Sequence, residues 1–357
     1  MKNKFSQFKY LKNIHRHRGI SKTRLNKIRL DANERISPID NKFFTKIKNK
    51  INSNHLTTYP EIESLYDLTA KKHQLKRTNI LFTSGSDIAM RHCFELFTKS
   101  RSKIITIDPT FGMVDVYAKI FNTKQIKIKF DNNLNLNLNK FLNLINKKVS
   151  MIMFANPNSP TGTIIDSKNI VKILKKAKKN KSYVIVDEAY FGFYAKSVSN
   201  LLKKFNNLVV LRTFSKAYGL AGVRAGYIIS NKNIIEKLYK FRPMYEISSI
   251  AVLVVNEILR NNNILKRYVR ETLLGKKYLL NELKKIHLSS HQTYANFLLV
   301  NFKSKKNQEK VFKHLYQKKI LVRYPPNIKA CQNHLRFTLG PKKYMKMLVK
   351  NLKKFKY

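Results

Sequence analysis

Acidic residues are scarce in this chain of 357: 20 Asp and Glu stand against 72 Lys and Arg, giving a formal charge of +52. Cysteine is scarcer still. Cys93 and Cys331 lie far apart and match no metal-ligand spacing, which excludes a disulfide framework or a zinc module and reads as two reduced thiols in a cytosol. Long apolar runs are also missing: none approaches the roughly 18 residues that a membrane helix needs. The stretch Met1–Arg18 is basic without an apolar core, so it is not expected to be a secretory signal.

Such a charge invites a nucleic-acid reading. The distribution argues otherwise. Lysines recur in nearly every segment, on amphipathic patterns such as Ile170–Lys179, and gather in no stripe or tail. A compositional bias toward Lys, Asn and Ile accounts for this, so no specific nucleic-acid partner and no membrane partner are expected. The few acids that remain are more informative, because a bias that strips acids from surfaces spares those with work to do. Asp31, Glu34, Glu61, Asp87, Asp187 and Glu188 are candidates.

Hydrophobic residues make up 43% of the chain, enough for an ordinary core. From about residue 61, short β-rich runs at 80–83, 103–107, 125–128, 150–154, 183–186, 208–211 and 225–229 alternate with helical patterns. That alternation predicts an α/β protein with a mostly parallel sheet in a three-layer α/β/α domain. Ligands in such folds collect at the carboxyl ends of the strands. Long helices are expected over 233–285, interrupted at Pro243. From 290 onward, strands at 296–302 and 335–339 beside helices at 306–318 and 341–355 predict a smaller α+β domain. The expected division is residues 1–40 as an N-terminal segment joining the small domain and closing the site, 41–240 as a large cofactor domain, and 241–357 as interdomain helices with the small domain. Pro38 and Asp40 read as the approach to a helix. The low-complexity run Asn132–Asn139 mimics a strand by its period of two, but its asparagines suggest a loop or a short edge strand.

Lys216 sits in Arg212-Thr213-Phe214-Ser215-Lys216-Ala217-Tyr218-Gly219, with Arg224 eight residues on. Small hydroxyls and an arginine around a lysine suit covalent capture of a phosphorylated aldehyde. An apolar strand 29 residues earlier ends in Asp187, followed by Glu188-Ala189-Tyr190. An aspartate where a buried strand meets a loop suits a ring nitrogen, or alternatively a helix N-cap. Together they suggest pyridoxal 5'-phosphate.

With Ala155-Asn156-Pro157-Asn158-Ser159-Pro160-Thr161-Gly162 and Thr83-Ser84-Gly85-Ser86-Asp87 in the same order, the chain from about 28 to 340 resembles the fold-type I, class I/II aminotransferases, and within them the histidinol-phosphate aminotransferase group. The resemblance implies that Lys216 bonds the cofactor and shuttles a proton at the substrate Cα, that Asp187 pairs with the ring nitrogen, and that Tyr190 donates to the cofactor's phenolic oxygen. It assigns the phosphate to Gly85, Ser86, Asp87, Thr213, Ser215 and Arg224, with Tyr59 reaching in from the second subunit of a homodimer. Phe111 would stack on the ring, although a core role is open to it. Where the family often has asparagine before Pro-Thr-Gly this chain has Ser159, so Ser159, Asn158 or Tyr190 alone contacts the phenolic oxygen. Arg336 would grip the substrate carboxylate, Arg323 is a second anion contact, and Asn33 and Glu34 belong to a closing motif. The family continues that motif with Asn-Pro. Arg35 stands there instead, as a substrate contact or merely another basic residue. The implied reaction moves an amino group from an amino donor to an oxo-acid acceptor, histidinol phosphate and 2-oxoglutarate in the family, in the cytoplasm. A threonine-phosphate-type decarboxylase is the alternative on the same fold, and a non-catalytic nucleic-acid-binding protein a distant one.

Overall fold

The computed structural model describes residues 24–326 and 328–357; the reading of Met1–Arg18 lies outside the described residues. In chain order the strands are β1 (Ile28–Arg29), β2 (Ile80–Thr83), β3 (Lys103–Asp108), β4 (Lys124–Lys129), β5 (Val149–Ala155), β6 (Tyr183–Asp187), β7 (Leu208–Thr213), β8 (Gly226–Ser230), β9 (Ser289–Ser290), β10 (Phe297–Asn301), β11 (Ile320–Leu321) and β12 (His334–Thr338). The helices are α1 (Asn41–Lys50), α2 (Asn54–Thr57), α3 (Glu63–His73), α4 (Ser86–Phe97), α5 (Gly112–Ile120), α6 (Leu138–Leu144), α7 (Ser167–Lys179), α8 (Lys232–Tyr239), α9 (Ser249–Arg260), α10 (Asn262–Lys285), α11 (Lys305–Gln317) and α12 (Lys342–Leu352).

Seven strands form the main sheet in the order β2-β8-β7-β6-β5-β3-β4, parallel throughout except for β8, which runs against both its neighbours. Alternation along β6 shows why helices cover both faces. Val184 and Val186 join one buried cluster while Ile185 joins another on the opposite face, as a period of two requires. The outermost strand, β4, exposes Lys124, Lys127 and Lys129, charges that block pairing with a further strand. Helix α7 explains the lysine pattern: Ile170, Ile173, Leu174 and Ala177 are buried in a stripe, and the lysines occupy the remaining face.

The smaller α+β unit has β12-β10-β9 as an antiparallel sheet, with β1 pairing in parallel to β11. Leu30 N–H donates to the Leu321 carbonyl and Thr338 N–H to the Leu30 carbonyl, and Leu30 and Ile36 enter the small unit's core. Residues 28–36 therefore pack with that unit. The large core extends past residue 240: Ala251, Val252, Val255, Ile258 and Ile264 pack into it, so α9 is built into the large layer rather than running between domains. Pro243 lies in the break between α8 and α9, and Asp40 caps α1 by accepting from Phe43 N–H at 3.2 Å. In the asparagine-rich run, Phe130 bridges Leu136 and Asn137 caps α6, so the loop hands over to a helix.

Candidate active site

The carboxyl ends of β2, β3, β5, β6 and β7 meet at one edge of the main sheet, facing the small unit across a cleft of about 800 Å³. Asp187, Lys216, Tyr190, Ser86, Asp87, Thr213, Ser215, Arg224, Phe111, Ser159, Arg336, Arg323, Asn33 and Glu34 all line it. Gly85 shapes its wall through Arg224, as described below.

Asp187 ends β6, whose last four residues are all buried, and is itself 5% exposed. Its Oδ1 accepts from Ala189 N–H at 3.0 Å. Burial raises its carboxyl to about 7, against a smaller opposing pull from that N–H and from Lys216. No salt bridge satisfies it among the described residues, and the one N–H it accepts leaves room for a cationic partner in the cleft. The Lys216 ammonium donates to the Ala32 carbonyl at 3.2 Å and stands 6.0 Å from the Tyr190 ring. Tyr190 is buried, and its hydroxyl accepts from Asn33 Nδ2 at 2.9 Å.

An anion cup lies beside them. Gly85 precedes α4 with φ +84°, a conformation glycine adopts without strain. A Cβ there would stand 2.6 Å from Arg224 Nη2, so the bare backbone is what lets the guanidinium reach the helix N-terminus. The free N–H groups of that terminus and the helix dipole favour an anion. Arg224 Nη1 donates to Ser215 Oγ at 3.4 Å, and Thr213 Oγ1 donates to Ser215 Oγ at 3.0 Å. Asp87 pairs with Arg224 at 3.6 Å, with both side chains well exposed, a loose pairing that a stronger anion can displace. From behind, Glu246, with its side chain nearly covered, accepts the Ser84 N–H at 2.7 Å and contacts His92 at 3.3 Å.

One candidate expected to contact the cofactor from this chain's own cleft lies outside it. Asn158 does not line this cleft: its amide donates to the Pro109 carbonyl and to Thr161 Oγ1, each at 2.9 Å, bracing the turn that carries Phe111. Ser159 faces the cleft in its stead. Tyr59 is 72% exposed and stacks on Tyr245 at 3.8 Å, so the single chain does not bring it to its own cleft. Phe111 is 36% exposed at the start of α5, which rules out the core role.

On the opposite wall, Arg336 is buried, donates through Nη2 to the Asp31 carbonyl at 2.6 Å, and leaves Nε without a partner among the described residues. Burial lowers its pKa to about 10, with Arg323 adding to that effect and Tyr190 opposing it. A buried, partly unpaired guanidinium calls for an anion. Arg323 pairs with Arg336 backbone to backbone, which puts both side chains at one edge. Glu34 is held by Arg24 and Arg29, each at 2.6 Å. Arg35 is not among the residues lining the cleft; it stacks over Tyr268 at 4.3 Å. Sequence reasoning missed Ala32, which acts through a backbone carbonyl, and Glu246, which lies in no motif.

A lysine amine, a buried acid and an anion cup on one cleft define a cofactor-dependent transferase whose cofactor carries a phosphate and a ring nitrogen. Residues 26–352 match the family model of aminotransferase class I and II, and the chain belongs to that family. It is 32% identical over 318 residues to the histidinol-phosphate aminotransferase of Caldanaerobacter subterraneus subsp. tengcongensis, covering 88% of this chain and 89% of that one. With the enzyme of that name from Buchnera aphidicola subsp. Schizaphis graminum it shares 35% over 335 residues, 91% of each chain. The fold matches the crystal structure of the Sinorhizobium meliloti histidinol-phosphate aminotransferase in complex with pyridoxal-5'-phosphate with a TM-score of 0.83 at 20% identity, over 91% of this chain and 90% of that one. The protein is a pyridoxal-phosphate-dependent aminotransferase; the decarboxylase and nucleic-acid alternatives are not favoured. Its residues fit that cofactor: Asp187 offers the unpaired buried acid, Lys216 the amine, and the α4 N-terminus with Arg224 the phosphate cup.

Proposed function

We propose that the enzyme transfers the amine of a histidinol-phosphate-like donor to a 2-oxo acid. The observation that carries this reading is the pair of arginines on one β-bridge: Arg336 with an unpartnered buried Nε, and Arg323 exposed beside it. Both proposed substrates are anions, a phosphate monoester in one half-reaction and a dicarboxylate in the other, and two adjacent guanidiniums suit each in turn. The relatives' names agree with the choice.

When bound, pyridoxal phosphate supplies an aldehyde that captures the amine and a ring that takes up the electrons released at Cα. The α4 N-terminus, Arg224, Ser215 and Thr213 would hold the phosphate, and Phe111 would cover the ring. Asp187 would hold a proton at the ring nitrogen. Ser159 and Tyr190 line the cleft and would hold the cofactor's phenolic oxygen, with Asn33 fixing the Tyr190 hydroxyl. Lys216 would hold the cofactor through its amine, and that amine is the group placed to move a proton at the substrate Cα. Arg336 and Arg323 orient the substrate, and Glu34 keeps the closing segment in place through Arg24 and Arg29. We assign Tyr59 to the partner's site in a homodimer, since it lies exposed outside its own. We place the enzyme in the cytoplasm, in keeping with two free, buried thiols. We place the boundary of the large domain after α9 rather than near residue 240, since α9 packs into the large core.

The test is a panel of half-reactions followed by loss of the cofactor's visible band. Histidinol phosphate is expected to discharge it fastest; a faster reaction with an unphosphorylated amino acid overturns the substrate assignment. In the same assay Arg336→Lys is expected to raise the KM for the oxo acid about 10- to 100-fold, the worth of a charge-assisted pair, with a smaller change in kcat.

A further inference from the structure

Arg35 takes the place of a motif residue, yet lies outside the cleft. Its stem lies on Gly219, in the turn that carries Lys216: a Cβ on Gly219 would stand 2.5 Å from Arg35 Cδ and 3.1 Å from its Cβ. That turn is closed by Gly219 N–H donating to the Lys216 carbonyl at 3.0 Å, with Gly219 at φ +72°. The guanidinium stacks on Tyr268 of α10 at 4.3 Å, and Nε donates to the Ser37 carbonyl at 3.2 Å. Arg29 donates to the Arg35 carbonyl at 3.4 Å. Immediately upstream, the Ala32 carbonyl takes the Lys216 ammonium at 3.2 Å, and Asn33, turned by φ +55°, reaches the Tyr190 hydroxyl at 2.9 Å.

We propose that Arg35 is a positioning residue that pins the Ala32–Asn33 segment in register over Lys216 and Tyr190. The stem on Gly219 ties the N-terminal segment to the lysine's own turn, and the stacked guanidinium ties it to α10. Three elements from distant parts of the chain thus share one side chain. Ile36, next in sequence, reinforces the pin, because its Cδ1 fills the space a Cβ on Gly340 would need. The catalytic importance of this register rests on the reading of Lys216 and Tyr190 as acting groups.

Arg35→Ala is expected to lower kcat about 10- to 100-fold, the scale of a small misplacement at the reacting centre, with the oxo-acid KM within about twofold of the parent. In the full chain without cofactor, amide hydrogen exchange across residues 30–37 is expected to rise about tenfold, with the α7 and β6 amides unchanged. Arg35→Met keeps the stem on Gly219 and is expected to recover most of the lost rate. Gly219→Ala collides with the stem, so the Arg35→Ala, Gly219→Ala pair is expected to lose less than the product of the single losses. A raised KM with intact kcat makes Arg35 a substrate contact and overturns the proposal. So does unchanged exchange over 30–37, or strictly multiplicative losses. The exchange arm reads the cofactor-free protein, so it fails independently of the Lys216 assignment.

Discussion

Lys216→Ala is expected to cut transamination by about 10⁴-fold, the upper range for a positioned acid–base group, while pyridoxal phosphate still binds. Two facts make the loss large. The amine sits in the cleft with Asp187, Tyr190 and the arginine pair, and the other cations lining that cleft are guanidiniums, which stay protonated near neutrality. Binding survives because the phosphate cup is built from other residues: the α4 N-terminus, Arg224, Ser215 and Thr213. Added small amines are expected to restore part of the rate. Stopped-flow half-reactions with the loaded variant measure this; a variant within tenfold of the parent places the proton-moving base elsewhere.

The second large effect concerns Asp187. Asp187→Asn is expected to lower kcat by about 10³-fold, because an amide cannot hold the proton at the ring nitrogen through charge. The same substitution is expected to stabilise the cofactor-free protein at high pH. Burial raises this carboxyl from 3.8 to about 7, so the folded state binds the proton more tightly than the unfolded chain. The cost is absent below the unfolded value, grows as pH rises, and is complete above about 7. It reaches the order of 4 kcal/mol. Denaturant unfolding of the two apo proteins at pH 4 and pH 8 gives the comparison. A gap that opens in favour of asparagine at pH 8 is expected; a gap of equal size at both pH values contradicts the assignment. A group that weakens the empty fold is kept because something else occupies the site.

Lys216, Asp187 and Gly85 were legible because each ends or follows a strand in a local motif, whereas Arg224 precedes the antiparallel β8 and so reaches the same edge of the sheet. Lys216, Asp187, Gly85 and Arg224 all fall where an α/β sheet collects ligands, and the structure brings them to one cleft. Arg336 was legible only through the family resemblance, on the strand expected at 335–339. What stayed hidden depends on tertiary contact. The Ala32 carbonyl carries no side-chain signature, and Glu246 acts on a turn 162 residues away in sequence. Asn158 and Ser159 differ by which way a proline-locked loop faces, which no spacing encodes. Two-residue strands such as β1 and β11 are too short for periodicity, although they fix the N-terminal segment to the small unit. The fate of α9 was hidden likewise: its apolar face fits a large core or a domain boundary equally well in one dimension.

The central claim is that Lys216 bears the cofactor. Borohydride treatment of the loaded enzyme, followed by proteolysis and mass mapping, tests it most directly. The account predicts one pyridoxyl-modified peptide, containing Lys216, with loss of the visible band and none of that label in Lys216→Ala. A label spread over surface lysines, or one that persists in the alanine variant, contradicts it.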